Sequence, residues 1–355
     1  MGSSSHVPTA PRAARRSSWC WPRTGNASST RSPSDSERAD LRGRGLNASH
    51  LSRAARRLRA LVVCALAWAA IAAHAGFDSL RYCDRGPALS AAQQDRLLRF
   101  AAIVRGELES AGVSMAIVSR SGVNLERFEH RYSHAGISLR ASENAPWSVR
   151  QLYYACDERR PRLFDQGLAG FVFGGDDPDG GFVSIVLLPA DAATPIEQAA
   201  LDNATALRLL AATYSANAYA WSIRYQNCNQ WLAELLAAGW GALADGDDLR
   251  PRAQAWLRAA GYAPEPVRVD SHALMFAGSF VPWLRYDDHP EDDRFALRFV
   301  TSLPKAIEAF VRARQPQARR IELCHREGRV VVREGWTPLR GGCVAEPGDR
   351  EIALD

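Results

Sequence analysis

From residue 90 onward the hydrophobic positions fall into helical and strand periods. Leu97, Leu98, Ala101, Ala102, Val104 and Leu108 recur three and four apart. That spacing predicts a helix from Ala91 to about Ser110, capped by Ser90 and stopped at Gly112. Further helices are predicted from Pro195 to about Leu210, from Cys228 to Ala238 with Gly239 beyond it, and over Pro304–Arg314. Val113–Ser119, His134–Arg140, Trp147–Tyr154 and Phe182–Leu188 read as strands, the second and third joined across Ser142-Glu143-Asn144. Ile321–Cys324 and Val330–Arg333 flank Glu327-Gly328 and predict a C-terminal hairpin. Antiparallel hairpins beside separate helices place the chain in the α+β class.

The first 75 residues follow neither period. Residues 1–50 are Ser, Arg, Pro and Gly without a core-forming pattern. Arg53, Arg56, Arg57 and Arg59 then precede an apolar run from Ala60 to Ala73, and Ala73-His74-Ala75 is an A-x-A cleavage site. The run is shorter than the roughly 20 residues that span a bilayer, so it reads as a signal peptide. Residues 1–75 are therefore expected to be a leader, with a mature, exported chain beginning at Gly76. No Met lies between Met1 and Met115, so the expected true start is near Leu46 or Leu51, from a non-standard codon. The leader also explains the charge. It holds 12 Arg against three acids, so the chain's net +5 becomes −4 over the remaining 280 residues. That balance excludes a nucleic-acid-binding reading.

Export means an oxidising compartment, where cysteines pair. Of the seven, Cys20 and Cys64 fall in the leader. Cys324 and Cys343 flank the hairpin and are expected to bond; Cys83 with Cys156 follows by elimination. Cys228 is left unpaired.

Metal and cofactor signatures are absent. Asp176–Asp179 lacks calcium-loop spacing, Asp287–Asp293 reads as an acidic surface loop, and Cys324-His325 has no metal-type partner spacing. No phosphate-binding or dinucleotide fingerprint occurs. No cofactor and no metal are expected. The chemistry gathers instead at Tyr225-Gln226-Asn227-Cys228-Asn229-Gln230-Trp231. Asn227 caps the helix and puts Cys228 in its first turn, where free N–H groups and the helix dipole favour a thiolate. Alternation sets His134, Gly136 and Ser138 on one strand face and Ala135, Ile137 and Leu139 on the other.

The run His-Ala-Gly-Ile-Ser-Leu, with Asn-Cys-x-x-Trp-Leu opening a helix, resembles the circularly permuted NlpC-type papain-like hydrolases, lecithin-retinol acyltransferase-like proteins among them. His134 precedes Cys228 by 94 residues, the order of the permuted group. The mature chain also resembles an exported, mostly proteobacterial family of unknown function. The first resemblance implies an antiparallel sheet with packed helices over residues 76–314, followed by a hairpin extension at 315–355. It implies a thiol hydrolase or acyltransferase acting on amide or ester bonds. Cys228 would be its nucleophile and His134 its general base. Gln151, ahead of Ser148 and Arg150, is the expected orienting residue. The Cys228 N–H, with Tyr225 or Gln226, would hold the oxyanion. Peptide, peptidoglycan or acyl substrates are expected in the periplasm or outside the cell. No nucleic-acid partner and no stable membrane span are expected. The rival expectation, drawn from ten Trp, is a non-catalytic binding or scaffold protein that keeps the fold.

Peptide mapping of the expressed precursor tests the start site. No peptide from residues 2–45 should be found; recovering one would overturn the reading.

Overall fold

The computed structural model describes residues 89–156 and 158–354. The expected leader, the expected terminus at Gly76 and Cys83 lie outside the described residues. In chain order the first elements are α1 (Ala91–Ser110), β1 (Met115–Arg120), β2 (His134–Leu139), β3 (Ser148–Ala155) and β4 (Arg160–Gln166). Next come α2 (Leu168–Phe173), β5 (Gly180–Leu187), α3 (Ala190–Leu201), α4 (Asn203–Arg208), α5 (Cys228–Trp240) and α6 (Leu249–Ala259). The chain ends with β6 (Pro266–Arg268), α7 (His272–Gly278), α8 (Glu291–Phe295), β7 (Arg298–Val300), α9 (Pro304–Arg314), β8 (Arg319–Arg326), β9 (Arg329–Glu334) and β10 (Arg350–Ala353).

The fold is α+β. Eight strands form one antiparallel sheet in the order β10-β9-β8-β5-β1-β2-β3-β4. The C-terminal hairpin is part of this sheet, because β8 pairs with β5 over eight residues. Glu327 and Gly328 both have positive φ, the backbone a two-residue hairpin turn requires. Alternation divides the sheet cleanly. Met115, Ile117, Ala135, Ile137, Leu139 and Leu152 pack with α3 and α5, while Ala116, Val118, Val149, Val183 and Ile185 pack with α1 and α2. Helix α1 carries the expected cap as a full capping box from Ser90 and Gln93. Its buried stripe is Leu97, Phe100, Ala101, Val104 and Leu108; Leu98 faces solvent instead.

Helix α5 is the centre of the first core. Every residue from Cys228 to Gly239 is buried, as expected of a helix that is apolar nearly all round. Its one acid, Glu234, accepts hydrogen bonds from Arg250 Nε and Gln254 Nε2, both at 2.9 Å, and from Gln226. Arg250 also donates to the carbonyls of Ser222, Ile223 and Tyr225. One buried ion pair thereby fixes the chain that leads into Cys228. The helix expected from Pro195 begins earlier, at Ala190, so Pro195 lies inside α3 and leaves the Asp191 carbonyl without its helical N–H. There α5 comes very close: a Cβ on Gly239 would lie 2.9 Å from the Ile196 Cα and the Pro195 carbonyl oxygen.

Gly239→Ala must push the two helices apart. The expected loss is about 1–3 kcal/mol of unfolding free energy by urea titration. An unchanged midpoint would show that the close approach carries no load.

Candidate functional site

The site begins at the end of α5. Asn227 caps it, accepting from the Gln230 N–H at 2.7 Å. The same side chain donates through Nδ2 to Thr301 Oγ1 at 2.9 Å and to the Ser302 and Ala216 carbonyls. Asn229, one residue past the thiol, donates to the Ser133 carbonyl at 3.1 Å. The helix end is thus tied to the residue just before His134. Cys228 is the free cysteine among the described residues and is 7% exposed.

His134 opens β2 and stands opposite Arg120, the last residue of β1, so both sit on the rim of the sheet. The β2–β3 ladder covers only Ile137–Leu139 against Ser148–Arg150, so the first residues of β2 have no backbone pairing to β3. Side chains bridge the gap. His134 Nε2 lies 2.7 Å from Gln151 Oε1, and Gln151 Nε2 donates to Gln166 Oε1 at 2.7 Å. The second bond turns the Gln151 oxygen toward the ring. An oxygen acceptor requires the proton on Nε2, which leaves Nδ1 as the basic nitrogen. Tyr153 stacks on the imidazole at 4.7 Å between centroids.

By strand alternation His134, Gln151 and Tyr153 sit with Arg120 on the α2 side, whereas Cys228 belongs to the core on the α5 side. A cavity of about 1280 Å³ is lined from both sides at this rim, and Cys228, His134, Tyr153, Tyr154 and Tyr214 all border it. The protonation states correct the expectation of a thiolate. Burial pushes the thiol up to about 11, against the pull of the Asn229 N–H, the Arg120 guanidinium, its own N–H and the Tyr214 hydroxyl. Burial likewise drops His134 to about 3, with Arg120 pushing the same way and the Gln151 bond opposing. At neutral pH both groups are uncharged: desolvation outweighs the helix end.

The other expected residues sit elsewhere. Gln226 is spent inside the fold, its side chain on Ala211, Leu209 and Glu234 and its N–H on the Thr213 carbonyl. Tyr225 donates its hydroxyl to Asp287 at 3.2 Å. Neither borders the cavity. Of the other orienting candidates, Arg150 is paired with Asp165, and Ser148 accepts from Asn144. Cys324 and Cys343 are bonded, as expected. Cys156 is also in a disulfide; Cys83, its expected partner, is outside the described residues. Among the described residues no group of three His, Cys, Asp or Glu gathers as a metal site, and no helix is long and apolar enough to cross a membrane. In the stretch read as a surface loop, His289 is buried and the Asp288 side chain is covered. Arg120, Tyr214 and Gln166 were not anticipated, and only strand alternation could have pointed to Arg120.

A family model described as "Uncharacterized protein conserved in bacteria (DUF2145)" matches residues 107–311, which include His134, Gln151 and Cys228. No curated protein and no solved structure matches.

Iodoacetamide labelling of Cys228, followed by mass spectrometry of its peptide, tests the raised thiol. Only the thiolate alkylates, so labelling should be slow at pH 8, with roughly one thiol in a thousand ionised, and should rise steeply toward pH 11. A midpoint below pH 8 would contradict the neutral thiol.

Proposed function

We propose that this chain, which belongs to the DUF2145 family of bacterial proteins, is an exported cysteine hydrolase or acyltransferase of permuted papain-like type. The reading is carried by the imidazole–carboxamide pair of His134 and Gln151 on the same cavity as a thiol at a helix N-terminus. Nucleophile, base and orienting group are the three members such chemistry needs. In this reading the neutral Cys228 thiol gives its proton, through a water in the shared cavity, to His134 Nδ1, which reaches that cavity from the opposite side of the sheet, as sulfur bonds to the substrate carbonyl carbon. The Cys228 N–H, at a helix position without an intrahelical acceptor, faces the oxyanion. The imidazolium then returns the proton to the leaving amine or alcohol, which departs as the thioester forms. Water hydrolyses that thioester, or a second acceptor takes the acyl group. Gln151 keeps the proton on Nε2 throughout. Cell-wall peptides are the nearest amide substrates for an exported enzyme.

A second reading has its own support. A thiol held near 11 and bonded to Tyr214 is a poor resting nucleophile, which favours a binding protein that retains the cavity without turnover.

A p-nitrophenyl ester separates the two. The enzyme should release nitrophenol and carry an acyl group on Cys228 by mass spectrometry. Cys228→Ser should abolish the adduct, and His134→Ala should slow acylation about 100-fold or more. Above pH 4 the unliganded imidazole is unprotonated, so kcat/KM should hold a plateau from pH 5 to 8 and fall only as pH drops toward 3. Equal nitrophenol release by Cys228→Ser, or an acid limb near pH 6.5, would refute the catalytic reading.

A further inference from the structure

Four arginines are buried among the described residues: Arg120, Arg250, Arg320 and Arg333. Arg250 is paired with Glu234, Arg320 with Glu308 and Glu322, and Arg333 with Glu346 and Asp349. Arg120 is the exception. At 5% exposure it donates from Nη1 to the Ser121 and Gly174 carbonyls and from Nη2 to the Tyr153 hydroxyl at 2.6 Å, all neutral acceptors. Its Nε–H is buried without a partner, and Nη2 keeps a second hydrogen. Among the described residues no carboxylate lies within ion-pair distance of it.

An unpaired buried charge is strongly unfavourable, and a guanidinium does not escape by losing its proton. The cavity's own acids do not answer it, since Asp165 is taken by Arg150 and Asp176 has a partner of its own. Arg120 nevertheless borders the cavity, beside His134. Along α7 and beside it the wall is apolar, with Leu274, Ala277, Val281, Trp283, Leu284 and Phe299; elsewhere it carries Asn124, His130, Asn217 and a second cation, Arg127, which is paired with Asp270. The same segment is apolar on its outside, where Phe276 and Phe280, 62% and 72% exposed, stack edge to face. At about 1280 Å³ the space exceeds the usual small-molecule pocket of roughly 300–1000 Å³.

We infer that the cavity takes an anionic amphiphile, with a carboxylate or phosphate head against Arg120 and an apolar chain along the α7–Phe299 wall. The inference rests on the cavity being the substrate site, as proposed above, but not on Cys228 being reactive. The head supplies the charge that the fold omits, and its oxygens accept from the remaining Nη2 hydrogen, the Nε–H being buried. The chain fills space that water would occupy poorly.

Isothermal titration of the Cys228→Ser full chain tests this without chemistry, using dodecanoate, dodecyl phosphate, dodecanol and acetate. At least one of the two acids should bind 10-fold or more tighter than dodecanol, and acetate should not bind measurably. Which acid binds identifies the head. Arg120→Gln should bring both acids to the dodecanol level, whereas Arg120→Lys should keep part of the preference. Arg120→Gln should also match or exceed the parent's melting temperature without ligand, because it removes an unpaired buried charge. Dodecanol binding as tightly as the acids, unchanged acid binding in Arg120→Gln, or a lower melting temperature in that variant would overturn the inference. So would no binding by either acid. Acid binding by Cys228→Ser without acylation of the native chain by the p-nitrophenyl ester would keep this inference and remove the catalytic one.

Discussion

The structure depends on the complete burial of one helix. Residues Cys228–Gly239 have no solvent face, so α5 must find apolar partners on every side. The sheet, α3, α4 and α6 supply them, with Trp231 filling the centre and its indole N–H satisfied by the Ala206 carbonyl at 3.1 Å. A helix buried this deeply satisfies most of its polar groups, Asn229 Oδ1 and Gln230 Oε1 being the two side-chain oxygens left without a partner. Glu234 therefore recruits Arg250, Gln254 and Gln226, and Asn227 spends its whole amide on the cap and on neighbouring segments. These bonds hold the chain on both sides of Cys228. The thiol's position is thus set by the core and not by a surface loop.

The same burial decides the electrostatics. A helix N-terminus favours a thiolate by fractions of a kcal/mol to about 2 kcal/mol. Desolvation works against it and prevails, leaving the sulfur protonated. His134 responds in the opposite sense for the same reason, because its charged form is the cation. The pair is therefore neutral at rest, and chemistry at Cys228 would need proton transfer coupled to bond formation. Arg120 acts on the two members in opposite ways, holding the imidazole neutral while favouring the thiolate. An anion beside Arg120 would relax both effects.

Local signals in the sequence were sufficient for some elements and silent on others. Ser90 with Gln93, Asn227 ahead of Cys228, and Pro304 each define a helix start by bonds or backbone limits within a few residues, and those starts match. The β2 alternation and the Cys324–Cys343 bridge are legible for the same reason. Strand β4 is hidden by Pro161 and its charges, which are tolerated because β4 is the sheet's edge. The pairing of His134 with Gln151 is half legible. The strands are readable, but the fixing bond comes from Gln166, on a strand that was not. Arg120 is harder still. Its partners Tyr153 and Gly174 lie 33 and 54 residues away, and its lack of a carboxylate is a property of the assembled core. The state of the thiol is equally non-local, because a cap motif reports the helix end and not its depth.

Nitrogen-15 NMR of the His134 side chain, followed from pH 4 to 8, tests the central claim most directly. The account predicts one neutral tautomer across that range, protonated on Nε2 and bare on Nδ1, which Gln151→Ala disturbs. A titration centred near pH 6.5, or a proton resident on Nδ1, would contradict it.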